Sequence, residues 1–357
     1  VEDNLKMLEL ARNNGMNSIV ADSRFWSVKE NISKELAEEV YQDYKGISNL
    51  EGVYLYDEPW NGNIYAQSAI NLADVMPGSF VYLNFFPGYI YNSYEQYEYT
   101  YDDLAALTEG KADLMFDVYP FMYDGSTNYN YLFDSLEAIR QSGLKYNQNT
   151  AACMQTHGYG PANGNPSHRD PSYTDMHYQG MVYLAYGIKH LSYWKYSSSA
   201  SVGTERHNLG AIDLDGNTTP VYDRMKAVNP IIHTVGAEIY NCDAKEVYIS
   251  GPNQYGQTAV PSGFFAQPGN SNQSLLLSYL KDKDTGRNYL MVVNNDLVNP
   301  VTAPINFASG IGSVELLNND TGAWTKSTIR GTYNVTLNAG GAAVIRLPSS
   351  YSYGGTQ

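Results

Sequence analysis

Asp57 and Glu58 are adjacent near the end of the segment Gly52-Val-Tyr-Leu-Tyr-Asp-Glu-Pro-Trp60. Val53 to Tyr56 is an apolar and aromatic run with β character, and Pro59 stops it by withholding a ladder donor. Two carboxyl groups at such a point suit acid/base work. One can protonate a leaving oxygen while the other stabilises or attacks the carbon it leaves. Trp60, just beyond, offers a flat apolar face to a ring. The same residues could also form a solvated acidic turn that caps the next helix.

Other apolar runs finish on polar or aromatic residues in the same way. Ser18-Ile-Val-Ala leads to Asp22, and Ser79-Phe-Val-Tyr-Leu leads to Asn84. Asp113-Leu-Met-Phe leads to Asp117 and Tyr119. Asn149-Thr-Ala-Ala-Cys-Met leads to Gln155 and His157. His190-Leu-Ser-Tyr leads to Trp194 and Tyr196. Strand ends that meet loops are often polar, but the repetition suits a carbohydrate site. Asp22, Asn84, Tyr119 and His157 would hold hydroxyls, while Trp60, Trp194 and Tyr196 would stack on sugar faces. Asp117 is a candidate second catalytic carboxylate, a nucleophile or base facing Glu58.

Other chemistries lack their signatures. No Gly-x-Ser-x-Gly elbow positions a serine, and no Gly-x-Gly-x-x-Gly follows a strand. The spacing of His157, His168 and His177 matches no zinc pattern, and loop histidines are expected to be solvated. Cys153 and Cys242 are far apart in sequence, and Cys153 reads as a buried free thiol. The pattern calls for no cofactor and no metal.

The chain has 357 residues, 43% hydrophobic and only 17% charged, with 33 tyrosines against 10 phenylalanines. Tyrosine pairs a flat apolar face with one hydroxyl, which suits neutral, hydroxyl-rich ligands; a general compositional bias would look the same. A net charge of −15 makes nucleic acid a poor partner and disfavours anionic membranes. No window of 18 apolar residues marks a membrane span. No signal peptide is visible, as in mature chains.

The elements that must position these groups alternate. Helical periodicity is expected over 4–14, 33–44, 64–75, 102–109, 131–142 (closed by Gly143), 176–187 and 220–236. An aromatic loop is expected over 88–101 and a Gly/Pro/Asn-rich loop over 158–171. Short apolar strands fall between the helices, as in a parallel sheet. The pattern fits a (β/α)8 TIM barrel over 1–240, whose catalytic residues belong at the carboxyl ends of its strands. Counting back from Trp194 as the eighth strand makes the Asp57-Glu58 strand the fourth. The N-terminal β-α-β is then expected to precede Val1. From 241 to 348, short strands separated by turn clusters such as Asn318-Asn-Asp-Thr-Gly322 predict a small antiparallel β-sandwich. Residues 349–357 read as a loose tail.

Three segments carry a resemblance. "GVYLYDEP", following "VYQDYKGISNLE", resembles the fourth-strand segment of bacterial (β/α)8-barrel glycoside hydrolases. "ADLMFDVYPF" resembles their sixth strand. "AYGIKHLSYWKY" with "AIDLDGNTTPVYDRMKAVNPII" resembles their eighth strand and closing helix. In the large clan with two catalytic glutamates, an Asn precedes the strand-four acid and strand seven carries a Glu. Here Asp57 precedes Glu58, and 149–157 carries no carboxylate. The Asp-Glu pair is instead similar to that of family 20 and family 123 hexosaminidases. The resemblance implies that the substrate's own 2-acetamido group attacks, that Asp57 polarises it and that Glu58, with a raised pKa, is the general acid. Tyr119 and Trp194 would line the acetamido pocket. It implies a glycosidase acting on an oligosaccharide or polysaccharide, either neutral or N-acetylated, and secreted or held at a bacterial cell surface or periplasm. A non-catalytic carbohydrate-binding surface protein on a barrel scaffold fits many of the same residues. A lyase or isomerase would lean on His157 and Lys195.

Overall fold

The computed structural model describes residues 1–88, 94–199 and 203–355, with the backbone alone over 94–99. The chain divides into two compact units, 1–117 with 141–151, and 118–140 with 152–357.

The first unit alternates strand and helix. Helix α1 (Glu2–Asn13) buries Leu8 and Ala11. It leads to β1 (Ser18–Val20). Helix α2 (Lys34–Tyr44) starts at Ser33, whose hydroxyl accepts the Leu36 N–H at 3.2 Å, as an N-cap should. Strand β2 (Leu50–Asp57), α3 (Ala66–Val75), β3 (Phe80–Phe85), α4 (Tyr94–Leu107) and β4 (Leu114–Asp117) follow, with the first residues of β5 (Thr150–Gln155) beside β4. Strands β1, β2, β3 and β4 lie in that order, each paired parallel to the next.

Two features of the β2–β3 pairing matter. Gly52 sits against Phe80, and a Cβ there would lie 2.0 Å from the Phe80 carbonyl oxygen. Further along, the register slips. Tyr54 pairs with Tyr82, but Tyr56 pairs with Leu83 and Asp57 with Asn84. Strand β2 thus carries one more residue than β3, a bulge of the kind that re-aims side chains beside functional sites. Regular pairing would set Tyr56 opposite Asn84, and the bulge sets Asp57 there.

The second unit holds the end of β5 beside β7 (His190–Trp194), with α6 (Tyr173–Ala185) and α7 (Pro220–Ile239). A two-stranded antiparallel piece pairs β6 (Tyr159–Pro161) with β8 (Glu205–His207). Beyond α7, two antiparallel sheets cover a shared core. One runs β15 (Trp324–Thr328), β14 (Ser313–Leu317), β17 (Ala342–Arg346), β12 (Asn288–Asn294), β11 (Leu275–Asp282) and β9 (Cys242–Ser250). The other runs β10 (Ala266–Pro268), β13 (Val301–Phe307) and β16 (Thr332–Leu337). Leu275, Leu277, Leu290 and Val292 from the first meet Ile305 and Val335 from the second. Val293, on the opposite face of β12, is also fully buried. Strands β11 and β12 therefore read as continuous apolar runs rather than alternating ones.

Parallel strands with intervening helices form half of a TIM-barrel-like α/β arrangement, and the antiparallel sheets fit a β-sandwich loosely. Four local expectations change. Helix α4 occupies 94–107, where a loop was expected from Gly88 to Tyr101; residues 89–93 lie outside the described residues. Gly143 lies inside α5 (Tyr129–Tyr146) rather than ending it. The polar stretch 158–171 contains β6. Tyr351 and Tyr353, in the tail, pack against the sandwich core, and the Tyr353 hydroxyl donates to Glu246 at 3.0 Å. Neither cysteine forms a disulfide, and both are buried. Among the described residues no helix is long and apolar enough to cross a membrane.

Candidate active site

In the first unit, three neighbouring strands bring Asp57, Asn84 and Asp117 together. Asn84 is 1% exposed. Its Nδ2 donates to Asp57 Oδ1 at 2.9 Å and to Asp117 Oδ2 at 3.1 Å. One amide therefore spends both N–H groups on two carboxylates. The orientation follows from chemistry, since ionised carboxylates only accept. Among the described residues the buried Asn84 Oδ1 accepts no hydrogen bond, so it can accept one from a donor that enters the site.

The two acids differ in access. Asp117 is 4% exposed, whereas Asp57 is exposed. Protein nevertheless crowds Asp57 at longer range, and this desolvation raises its carboxyl above the ordinary value, with the Asn84 bond pulling the other way. A carboxyl so placed can meet a ligand and still be tuned by the protein.

Glu58 follows directly. Its N–H donates to the Asn84 carbonyl at 2.7 Å, and its φ is +50°. A left-handed backbone is unusual for a non-glycine residue and tends to mark turns and functional sites. Successive side chains of a regular strand point to opposite faces. The left-handed residue ends that alternation between Asp57 and Glu58.

Asp22 is engaged elsewhere in the same unit. Arg24 Nε and Nη2 donate to its two oxygens at 2.8 and 2.9 Å, and the Tyr44 hydroxyl donates at 2.6 Å. The Arg24 bond, the largest influence, holds its carboxyl well below the usual range. Trp60 is 75% exposed and lies against Phe86, ring centroids 4.9 Å apart.

In the second unit the structure brings Tyr119, His157 and Trp194 together. Tyr119 stacks on Trp194 at 4.7 Å, and His157 meets Trp194 at 4.7 Å. Sequence reasoning missed Tyr159, His168 and His207, which complete this cluster. Tyr159 stacks on His168 at 4.1 Å, and His157 Nε2 lies 3.3 Å from His207 Nδ1. The signal for the first two was the β-forming Tyr159 within a Gly/Pro-rich stretch. His207 reaches the cluster through the β6–β8 pairing, which no local pattern announces. The expectation of solvated histidines fails here, since His157 is fully buried. Burial pushes His157 and His168 down to about 4, so both rings are neutral near pH 7 and can accept or donate one proton. Tyr196 is 49% exposed and lines a separate cleft with Tyr222, Asn229 and His233. Among the described residues no three His, Cys, Asp or Glu side chains are grouped to hold a metal ion.

No protein family and no curated protein matches the sequence. Several solved structures are similar to the chain. A GH27 β-L-arabinopyranosidase from Geobacillus stearothermophilus aligns with a TM-score of 0.46 and 8% identity, covering 91% of this chain and 63% of that one. The chain thus spans less than two thirds of that protein's length. An α-L-arabinofuranosidase from Thermotoga maritima, in complex with arabinose, aligns with a TM-score of 0.47 and 12% identity, covering 96% and 78%. Xylanase 10B from Thermotoga maritima aligns with a TM-score of 0.39 and 13% identity, covering 64% and 80%.

Proposed function

We propose that the protein is a glycoside hydrolase in which Glu58 is the general acid and Asp57 meets the substrate beside it. The observation that carries this reading is the single Asn84 residue, whose side chain holds Asp57 and Asp117 and whose carbonyl holds the Glu58 backbone. A shared anchor of this kind keeps a proton donor and a second carboxylate in fixed relation, which acetal cleavage requires.

Access separates the roles. Asp117, nearly without exposure, positions Asn84. Asp57, exposed and raised, suits contact with the 2-acetamido group of an N-acetylated sugar. Glu58 gives its proton to the glycosidic oxygen as the C–O bond breaks. The acetamido oxygen attacks the anomeric carbon, and Asp57 stabilises the positive charge that develops on its nitrogen. Water then opens the cyclic intermediate, giving its proton back to Glu58. The configuration is retained because two displacements occur on one carbon.

A panel of 4-nitrophenyl glycosides tests this. Release of 4-nitrophenol from N-acetylhexosaminides, lost in Glu58→Gln, is the expected result. Turnover confined to sugars without an acetamido group removes the substrate-assisted part. Tight sugar binding with no turnover of any glycoside replaces the enzyme with a carbohydrate-binding protein. The neutral aromatic and imidazole cluster around Trp194 favours that second reading. A secreted or cell-surface location belongs with the proposed glycan substrate.

A further inference from the structure

The larger sheet of the sandwich carries a charged row that the proposed chemistry does not use. Across the antiparallel ladders Lys326 pairs with Glu315, and Glu315 pairs with Arg346. The next partner in the row is Tyr289, two residues beyond Arg287. A cleft of about 360 Å³ lies among Arg287, Ser313, Glu315, Lys326, Arg346 and Ser349. That volume falls within the range that holds a small ligand.

Charge is the notable feature. The chain has 22 Lys and Arg against 37 Asp and Glu, yet this cleft gathers three cations around one carboxylate. Cross-strand ion pairing explains one of the three. Glu315 accepts from Arg346 Nε at 2.8 Å, and that bond holds the Glu315 carboxyl below its ordinary value. Two positive charges remain.

The geometry of Arg346 is prepared for a ligand. Glu315 fixes its Nε, and the guanidinium lies over the Trp324 ring, 4.2 Å from the centroid. No protein acceptor takes its Nη1 or Nη2 among the described residues. A planar guanidinium clamped on one edge and one face presents its remaining N–H groups as a fork that fits two oxygens of one anion. Lys326 and Arg287 are exposed, and neither makes an ion pair among the described residues.

We propose that this cleft is an oxyanion-binding subsite that takes the carboxylate or sulfate of an acidic sugar within a glycan. The glycan part rests on the function proposed above, and the anion part rests on the cleft alone. The site would give the sandwich a grip on acidic polymer apart from the acids of β2 and β4.

Affinity electrophoresis in gels containing chondroitin sulfate, polygalacturonate or dextran tests it. The wild-type protein is expected to be retarded by at least one of the acidic polymers and not by neutral dextran. The effect should be lost at 0.5 M NaCl, because screening weakens exposed charge contacts. Arg287→Gln combined with Lys326→Gln should weaken retardation about tenfold, with an unchanged melting temperature because both residues are exposed. Glu58→Gln should be retarded like wild type, so failure of the catalytic reading leaves this result standing. No retardation in either acidic polymer, or equal retardation of the double variant, overturns the proposal. Binding of inorganic sulfate, read by thermal shift, without binding of either acidic polymer overturns the glycan assignment.

Discussion

Asn84 Nδ2 lies 2.9 Å from Asp57 Oδ1, and the same nitrogen reaches Asp117. The bond lowers the Asp57 carboxyl against the burial that raises it. Removing the donor therefore raises that carboxyl further. In Asn84→Leu the acidic limb of the kcat/KM profile is expected to move to higher pH, because Asp57 must be ionised to act. An unchanged limb in steady-state kinetics would separate Asn84 from the reaction.

Glu58 should divide stability from activity. Its φ of +50° costs a non-glycine residue about 1–2 kcal/mol relative to glycine, partly offset by glycine's greater freedom when unfolded. Glu58→Gly is expected to keep its unfolding free energy within about 1 kcal/mol of wild type while turnover falls about 10²–10⁴-fold. Urea titration and initial rates read the two quantities from one preparation.

His157 ties stability to pH. Its folded value of about 4 lies below the ordinary value near 6.5. The unfolded chain therefore takes the proton first as pH falls. The contribution of His157 is complete above pH 6.5 and is lost between 6.5 and 4. Its size is on the order of 3 kcal/mol. The melting temperature should fall across that window, and His157→Phe should flatten part of the slope. A slope unchanged in the variant would assign the effect to other groups.

Gly52 sets how closely β2 and β3 approach. A Cβ there would lie 2.0 Å from the Phe80 carbonyl oxygen. Gly52→Ala is expected to lower unfolding free energy by several kcal/mol, as overpacking against backbone does. Chemical denaturation should show it with an unchanged m-value.

Local pattern made much of this legible. Ser33 as a cap, the apolar cores of β2 to β5 and the short-strand rhythm after 241 were all visible, because periodicity and turn chemistry act within a few residues. Asp57, Asn84 and Asp117 were each visible as strand ends. Their common amide bond was not, because it depends on register across three strands. Gly143 misled because a glycine inside a helix costs only about 1 kcal/mol, which packing can offset. His207 needed a pairing between segments more than forty residues apart.

The slip between Tyr54 and Tyr56 has a consequence for how this chain can vary. It makes the site depend on a mismatched count, five residue steps from Gly52 to Asp57 against four from Phe80 to Asn84. Swapping one apolar residue for another in that run leaves the count intact. Losing the bulge without losing a residue would restore an unbroken pleat and present Tyr56 where the carboxylate now meets Asn84, with every catalytic residue still in the sequence.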